Sequence, residues 1–248
     1  MIIKYKRIIG RISLLALIIT CSFSCETDLY ETYSEYSDGN VVSVGSPDSL
    51  SVDSGLDKLM FKVFINADPK LKKGVISWNL GANEKTFNID RTIYQNEIID
   101  VEVEPGEGSY EFAVHLEDAN GNKSNTLTLF TEVLGETYRA DLVNRSLSGS
   151  TLSSETEVTL TWESNRYIDS KMVEQVTNDL LVKTELTYIS EADGLEKTVV
   201  IDESEDTLVI SDFIPEGSFN YKTFYKPTVD SVYIFESNPT EGTFPAKI

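Results

Sequence analysis

Cys25 stands in the setting that a lipid-attachment site needs at the start of an exported protein. Four basic side chains and no acidic ones lie in residues 1–11, and a mostly apolar run covers residues 12–23. Ser24 is the small residue that a signal peptidase needs before its cut, and an acidic stretch starts at Glu26. This pattern predicts that Cys25 becomes the lipidated first residue of the mature protein. Ordinary secretion with a free Cys25 thiol is the alternative.

The apolar run over residues 12–23 is shorter than the roughly 20 residues that cross a bilayer. We therefore predict a lipoprotein signal peptide over residues 1–24 rather than a membrane anchor. Cys21 is the rival lipid site, but the branched Thr20 precedes it. Because the chain has only 2 cysteines, lipidation at Cys25 leaves the mature protein without a thiol. A disulfide scaffold, a cysteine nucleophile and a thiolate metal site are then excluded.

His115 is the only histidine, and any Ser-His-Asp relay would have to use it. It is out of phase with Phe112, Val114 and Leu116, which predicts a strand whose other face carries His115 into solvent. An ordinary zinc site would need a second histidine or a cysteine, and the sequence has no Gly-x-Ser-x-Gly motif. We therefore predict no catalytic residue, no metal site, no cofactor and no enzymatic activity.

The run from Asp118 to Asn122 resembles the start of a calcium-binding loop. An EF-hand loop needs glycine at its sixth position and glutamate at its twelfth, where this chain has Lys123 and Leu129. The Asn-Gly pair in the run instead predicts a turn in which Gly121 takes a positive φ, with a loose calcium site as the alternative. Glycoside hydrolysis needs a marked carboxylate pair, and none stands out among the 41 acidic residues.

A sugar-binding surface would present aromatic faces beside polar neighbours. We take Trp162, Tyr167 and Tyr225 as possible ligand-binding residues. Tyr167 is the strongest of the three, because it follows a polar Asn-Arg pair in a predicted loop. Trp162 continues the apolar series of a strand, as Trp78 does, so both tryptophans are expected in a core.

The formal net charge of the chain is −20, from 21 basic and 41 acidic side chains. Such a surface repels phosphate backbones, so nucleic acid is excluded as a partner. It also repels anionic lipid headgroups, so membrane contact depends on the acyl chains, at about 0.8 kcal/mol per buried methylene. The acidic segment 25–42 has no apolar periodicity, which predicts a flexible tether.

Beyond the tether, apolar and polar residues alternate with period two, which predicts strands separated by turns. The pattern occurs twice, at an offset of about 109 residues. Gly108-Ser109-Tyr110-Glu111-Phe112 falls on Gly217-Ser218-Phe219-Asn220-Tyr221, and Tyr188 falls close to the Trp78 position. Each copy has about seven short strands, as an immunoglobulin-like or fibronectin-like sandwich needs.

We therefore predict an all-β protein with two tandem immunoglobulin/fibronectin III-like β-sandwich domains, over residues 43–140 and 146–248, joined by a short ordered linker. The missing disulfide favours the fibronectin-like variant. Tyr110 follows a Pro-Gly turn, which predicts a tyrosine corner whose hydroxyl bonds nearby backbone. Phe219 holds this position in the second copy and cannot make that bond. Helical spacing within residues 172–181 leaves a short helix open there.

Both halves of the chain contain short motifs that also occur together in other proteins. They are Val75-Ile76-Ser77-Trp78-Asn79, Glu107-Gly108-Ser109-Tyr110-Glu111-Phe112, Gly121-Asn122-Lys123-Ser124, Gly135-Glu136-Thr137-Tyr138, Leu142-Val143-Asn144-Arg145, Gly217-Ser218-Phe219-Asn220-Tyr221 and Asp230-Ser231-Val232-Tyr233. In these motifs the chain resembles the surface lipoproteins of Bacteroidota that are catalogued as a domain of unknown function. The resemblance implies tandem β-sandwiches on a lipid anchor, often encoded near outer-membrane glycan-uptake systems.

These features together predict a lipid-anchored binding or accessory protein, exposed at the surface of the outer membrane. The resemblance implies that its partner is a glycan or an outer-membrane uptake complex. The alternative is a structural or adhesive spacer whose loops contact another protein.

Overall fold

The computed structural model describes residues 43–164, 166–168, 175–177 and 179–246. Cys25, the signal segment and the tether lie outside these residues. A compact unit covers Val44–Ile248. Within the described ranges, no helix is long and apolar enough to cross a membrane.

The first half of this unit is a sandwich of two antiparallel sheets. Its strands are β1 (Pro47–Gly55), β2 (Lys58–Ile65), β3 (Lys73–Trp78), β4 (Asn83–Asn88), β5 (Glu97–Val103), β6 (Gly108–Glu117) and β7 (Leu127–Val133). One sheet has the order β1-β2-β5 and the other β4-β3-β6-β7. In β2, Leu59, Phe61 and Val63 are buried and the residues between them are half-buried. The alternation places one face of each strand on a shared core, which includes Ile76 and Phe112.

The second half repeats this arrangement. Its strands are β8 (Leu147–Leu152), β9 (Val158–Trp162), β10 (Arg166–Ile168), β11 (Gln175–Thr177), β12 (Leu181–Ile189), β13 (Glu196–Asp202), β14 (Thr207–Ile210), β15 (Ser218–Tyr225), β16 (Phe235–Glu236) and β17 (Thr240–Thr243). One sheet has the order β14-β9-β8, and in the other β13-β12-β15 is extended by β16 and β17, which both pair with β15. Each half is thus an immunoglobulin/fibronectin III-like sandwich, and the predicted all-β fold is confirmed.

The segment 172–181, for which the sequence also allows a short helix, contains strand instead. Its central residues form β11, which pairs antiparallel with β10, and β12 begins at Leu181. Helical spacing of apolar residues is ambiguous in a short stretch, and here backbone pairing with a neighbouring strand decides the outcome. Residues 172–174 and 178 lie outside the described ranges.

A helix does occur in the connection between the sandwiches, where the sequence predicts only a polar linker. This helix, α1, spans Glu136–Asp141. The Thr137 N–H donates to Glu107 Oε1 of the first sandwich at 3.2 Å. The Tyr138 ring packs edge-on against Phe235 of the second sandwich, with ring centres 5.0 Å apart. The helix therefore touches both halves of the unit.

Arg145 fixes the end of the connection inside the second sandwich. Its side chain is only 4% exposed. Nε donates to the Glu163 carbonyl at 2.9 Å, Nη1 donates to the Glu205 carbonyl at 2.6 Å, and Nη2 pairs with the Asp206 carboxylate. Its backbone N–H donates to Thr223 Oγ1 at 3.0 Å. A buried guanidinium with this many acceptors is held in one position.

The neighbouring Asn144 makes a second set of bonds to the same sandwich. Its Nδ2 donates to the Asn238 carbonyl at 2.6 Å and to Thr240 Oγ1 at 2.8 Å. Its Oδ1 accepts from Ser237 Oγ at 2.5 Å. The linker is therefore ordered by side-chain bonds that are specific to asparagine and arginine.

The segment Ser231–Tyr233 of the second sandwich lies on the first sandwich, and we call it the clasp. Asp53 accepts two hydrogen bonds from it, from Ser231 Oγ at 2.7 Å and from the Val232 N–H at 2.6 Å. The Tyr233 hydroxyl donates to Glu102 Oε2 at 3.0 Å. These bonds join β1 and β5 of the first sandwich to a loop that leads into β16.

The Tyr233 ring lies directly against Gly55, at the end of β1. A Cβ atom at Gly55 would come within 2.8 Å of that ring. Lys58 Nζ lies 5.2 Å from the ring centre and also pairs with Glu102 at 2.9 Å. Burial, and then the bond to Glu102, raise the pKa of Tyr233 to about 12, so this hydroxyl stays a donor at neutral pH.

Candidate binding groove

A groove of about 500 Å³ opens where β3 ends, and we call it the Trp78 groove. The register of β3 on β6 runs from Lys73 opposite Glu117 to Ser77 opposite Ala113, and there it stops. Its lining consists of Ser77, Trp78, Asn79, Leu80, Gly81, Ser109, Tyr110, Glu111 and Ala113. The groove therefore occupies the place where a continuing β3 would have paired with the start of β6.

The turn after Trp78 explains why β3 leaves β6. Asn79 and Leu80 have φ of +54° and +56°, and Gly81 has φ of +83°. The Gly81 N–H donates to the Trp78 carbonyl at 3.1 Å, and the Asn79 side chain bonds Asn83 Oδ1 at 2.8 Å. Two successive left-handed residues suit a tight hairpin turn, but leucine is a poor choice for one. Leu80 is also fully exposed, at 105% of its reference area.

Two half-buried aromatic rings form the apolar part of the groove. Trp78 and Tyr110 both pack against Phe112, with ring centres 5.9 and 5.8 Å from it. The Tyr110 hydroxyl donates to the Pro105 carbonyl at 3.0 Å. This bond is the predicted tyrosine corner, and it holds the Tyr110 ring in place beside the groove.

The rim of the groove combines an acid with an exposed phenyl ring. Glu111 is exposed and lies opposite Phe130 of β7 in the sheet register. Phe130 is one of the most exposed large apolar side chains of the described ranges. Within those ranges Glu111 takes part in no ion pair. The groove thus offers two aromatic rings and a carboxylate without an ion-pair partner among the described residues. It also has two serine hydroxyls, of which Ser77 Oγ donates to the Ala113 carbonyl at 3.2 Å.

The second sandwich has a smaller cavity at the equivalent place, of about 160 Å³. The repeat makes Tyr221 of β15 the counterpart of Phe112 of β6. Leu186 pairs with Tyr221, while a continued β3 register would put Trp78 opposite Phe112. Leu186 is therefore the counterpart of Trp78.

The same register makes Tyr188 the counterpart of Leu80, two residues beyond the Trp78 position to which the sequence repeat assigned it. Tyr188 pairs with Phe219, so β12 continues along β15 where β3 turns away. The ring of Tyr188 is buried and packs edge-on against Phe244, with ring centres 5.8 Å apart. The chain itself thus occupies part of this place in the second sandwich and leaves the smaller cavity.

An Asp212 network locks Tyr188 there. The Tyr188 hydroxyl donates to Asp212 Oδ1 at 2.6 Å, Ser190 Oγ donates to Oδ2 at 2.8 Å, and Lys197 pairs with the same carboxylate. Lys197 first, and then Tyr188, lower the pKa of Asp212 to about 2. Burial, and then Asp212, raise the pKa of Tyr188. The four groups form a closed structural network rather than a reactive site.

Comparison with known proteins places the chain in a family. Residues 25–235 match the model of DUF4998, a domain of unknown function. The chain belongs to DUF4998. The match covers both sandwiches as far as β16, including the residues of the Trp78 groove and the clasp.

Solved structures similar to this DUF4998 protein include two animal fragments. A two-domain fibronectin type III segment of chicken tenascin is 16% identical with a TM-score of 0.29, and the match covers 81% of this chain and 99% of that chain. The FN1–FN3 domains of chicken CNTN1 are 10% identical with a TM-score of 0.34, covering 80% and 67%. No curated protein matches the chain.

Two of the three predicted ligand residues of this DUF4998 protein, Trp162 and Tyr225, have structural contacts instead. Trp162 is 2% exposed and belongs to the second core, which leaves it no face for a ligand. The Tyr225 hydroxyl donates to the Val143 carbonyl at 2.9 Å, so it holds the linker. The backbone of Tyr167 lies in strand β10 rather than in a loop, and its side chain lies outside the described residues.

The prediction that His115 faces solvent is wrong. It lies on the predicted outer face of the sheet, but its side chain is only 14% exposed. His115 Nε2 lies 3.1 Å from Glu117 Oε1, and Lys73 pairs with Glu117 Oε2 at 2.8 Å. Polar side chains at neighbouring positions on one face of a sheet can cover one another through hydrogen bonds and ion pairs, and alternation alone does not reveal this.

The predicted turn after β6 is confirmed. Gly121 has φ of +82°. The Asp118 carboxylate accepts from the N–H groups of Asn120 at 2.8 Å and Asn122 at 2.9 Å, and from Asn122 Nδ2 at 2.8 Å. These donors, the Asn122 side chain foremost, lower the pKa of Asp118. The carboxylate is therefore used to close the turn.

Sequence reasoning missed Leu80 and Tyr110 as groove residues. Leu80 stands in an Asn-Leu-Gly run, which is a turn signal. An apolar residue at the centre of such a turn is the unusual feature that could have singled it out. Tyr110 was expected only as a structural corner, because its exposure depends on β3 leaving the sheet.

Proposed function

We propose that this DUF4998 protein is a non-catalytic surface lipoprotein whose two sandwiches form one stiff arm that holds a binding surface away from the outer membrane. Acyl chains on Cys25 attach it to the membrane, and the acidic tether of residues 25–42 separates the arm from the lipid. Tandem sandwiches of this class are common in cell-surface proteins. Fold alone does not specify a function, so the proposal rests on how the two sandwiches are joined.

The clasp is the observation that carries the proposal. A flexible tandem would have a free linker and few bonds between its domains. Here Asp53 and Glu102 of the first sandwich accept hydrogen bonds from three donors of the clasp. The linker is bonded as well, through Asn144 and Arg145. Bonds at both the clasp and the linker hold the second sandwich in a fixed position relative to the first. A protein that holds a binding surface away from the membrane needs such a fixed joint.

Stiffness is tested by replacing Tyr233 with alanine in the protein lacking its signal peptide. NMR relaxation and small-angle scattering should show one tumbling body for the unaltered protein. Two partly independent bodies should appear for Tyr233→Ala, because the ring, the bond to Glu102 and the contact with Gly55 are lost together. Tyr94→Ala removes an exposed tyrosine far along the sequence and should leave the tumbling unchanged. Independent motion in the unaltered protein would overturn the proposal.

Anchoring is tested in cells by Cys25→Ser, with Cys21→Ser as the matched control. Cys25→Ser should move the protein from the membrane fraction to the soluble fraction, since one unmodified chain has no acyl group to insert. Cys21→Ser should remain membrane-bound and accessible to protease added outside the cells. A Cys25→Ser variant that stays in the membrane fraction rejects the anchor.

Glycan capture is the second candidate for the presented surface. The half-buried rings of Trp78 and Tyr110, beside the hydroxyls of Ser77 and Ser109, favour it, because sugars stack on aromatic faces and bond polar neighbours. The resemblance to lipoproteins encoded near glycan-uptake systems also supports this candidate. A glycan array probed with the whole protein tests it, with Trp78→Phe as a variant that keeps an aromatic ring but changes the stacking area.

A further inference from the structure

The two sandwiches differ at the position beside the start of β6 and its counterpart β15. The second sandwich shows which kind of segment fits there. In it, an extended strand continues along β15 and places the aromatic ring of Tyr188 over the start of that strand. In the first sandwich β3 ends, the chain turns out at Leu80, and the start of β6 keeps a partner on its β7 side. No described strand pairs with the other edge of β6 beyond Ala113.

We infer that the Trp78 groove binds an extended segment of a partner polypeptide that carries an aromatic side chain next to a basic residue. The inference rests on the proposed presenting role and names the class of its partner. The segment adds as a short strand to the open edge of β6 at residues 108–112, and main-chain hydrogen bonds supply part of the affinity. Its aromatic side chain takes the place that Tyr188 fills in the second sandwich.

The conformation of Leu80 supports a ligand at this place. A left-handed conformation costs a residue other than glycine about 1–2 kcal/mol, and full exposure removes any compensation from the core. Strain of this kind is typical of sites that contact ligands. The side chain of Leu80 is part of the groove lining, where it can cover an inserted ring and exclude water from it.

The charge at the rim supports the basic residue. Glu111 lies at the groove without an ion-pair partner among the described residues. The whole chain is strongly acidic, with a net charge of −20. A cation that reaches the groove therefore gains from both the near carboxylate and the overall field. The same acidity opposes a second copy of this chain as the occupant.

The test is a selection of eight-residue peptides from a random display library on the whole protein without its signal peptide. Selected peptides are synthesised and measured by calorimetry and by the amide shifts they cause. They should share an aromatic residue within two positions of lysine or arginine. They should shift the amides of residues 77–81 and 108–112.

Three variants give the decision. Leu80→Gly should weaken peptide binding about tenfold while the fold becomes more stable, so that lost binding cannot be ascribed to unfolding. Glu111→Gln should remove the preference for the basic residue. Glu216→Gly relieves the same backbone conformation, φ of +55°, in the second sandwich and should leave peptide binding unchanged.

Four results would overturn the inference: no enriched peptide, shifts that map outside the groove, equal loss in Glu216→Gly, or displacement of the peptide by soluble oligosaccharides. Displacement by sugars would show that the Trp78 groove binds glycans rather than peptides. Stiffness and anchoring are measured separately, through Tyr233 and Cys25, so failure of peptide binding leaves the presenting arm in place.

Discussion

The two sandwiches have matching strand orders but differ at the centre of the paired strands. In the first, Ile76 lies opposite Val114, and both are fully buried and apolar. In the second, Thr184 lies opposite Thr223, and both are equally buried. The Thr223 hydroxyl accepts the Arg145 N–H, and so it serves the linker. The second sandwich therefore gives up apolar contact at its centre in order to hold the connection.

The two sandwiches also differ at the other end of these strands, where the first is open and the second is covered by an aromatic side chain. The second sandwich narrows the cavity beside Phe219 with its own Tyr188, whose hydroxyl is fixed by Asp212. The first leaves the equivalent place open and turns Leu80 into solvent. The two copies thus differ in use: the second holds the connection through Thr223, and the first leaves a groove open at the end of β3.

The largest effect on stability is expected when Arg145, which holds the linker to the second sandwich, is replaced with leucine. Removing a buried, bonded guanidinium leaves the carbonyls of Glu163 and Glu205 without these donors, and at about 1–3 kcal/mol for each group left unsatisfied it should cost about 2–6 kcal/mol of unfolding free energy. Denaturant unfolding followed by tryptophan fluorescence measures it. Arg139→Leu is the control, since its pair with Glu136 is on the surface and contributes about 0–1 kcal/mol. Equal costs for the two variants would contradict the role of Arg145.

Acid should affect the second sandwich through Asp212. Its folded pKa of about 2 lies below the ordinary 3.8, so its stabilisation is present above the ordinary value and is lost as pH falls through the folded one. The side chain is 22% exposed, and the loss should be on the order of 2 kcal/mol. Urea midpoints at successive pH values between 5 and 2 measure it. Asp212→Asn should flatten that part of the profile, and an unchanged slope would reject the network.

A reciprocal exchange sharpens the difference at the strand centres. Thr223→Val should destabilise the second sandwich by about 1–2 kcal/mol although it adds an apolar group, because the Arg145 N–H loses its acceptor. Val114→Thr should destabilise the first sandwich by a similar amount, because it buries a hydroxyl. Hydrogen exchange of the amides in each sandwich locates the two effects. A stabilising Thr223→Val would show that the linker bond does not matter.

The smallest effect concerns the turn at Leu80. Leu80→Gly should stabilise the first sandwich by about 1 kcal/mol, because glycine adopts a left-handed conformation without strain. Glu216→Gly should do the same for the second sandwich and serves as the matched comparison. Thermal unfolding measures both. A lower unfolding temperature for Leu80→Gly would mean that the leucine side chain stabilises the fold, and it would contradict the interpretation of Leu80 as a strained ligand contact.

Local patterns predicted much of this architecture. Period-two alternation identified β2 and β6, since a strand shows its buried face in its own sequence. The Pro-Gly turn before Tyr110 identified the tyrosine corner, because its bond spans only five residues. The Asn-Gly pair at Gly121 identified a turn for the same reason. Each of these signals depends on residues that are close along the chain.

The candidate site escaped prediction because it depends on long-range register. Whether Trp78 lines a groove depends on where β3 stops pairing with β6, and the strand pattern continues across that point. Trp162 illustrates the same limit of a strand pattern. Its phase in the strand indicated a core position but did not exclude an exposed face, and only the tertiary structure shows that it is buried. The bonds of Asn144 and Arg145 reach residues 18 to 96 positions away, which a linker composition cannot reveal.

The amino-acid sequence by itself determined the all-β class, the repeat, the acidic surface and the single position, Cys25, at which a lipid attachment is predicted, because these depend on composition and local order. Tertiary structure decided which copy keeps an open groove and which holds the linker. The physical reason is that strand pairing and side-chain burial are set between distant segments, so two similar sequence patterns end in one small cavity and one larger groove.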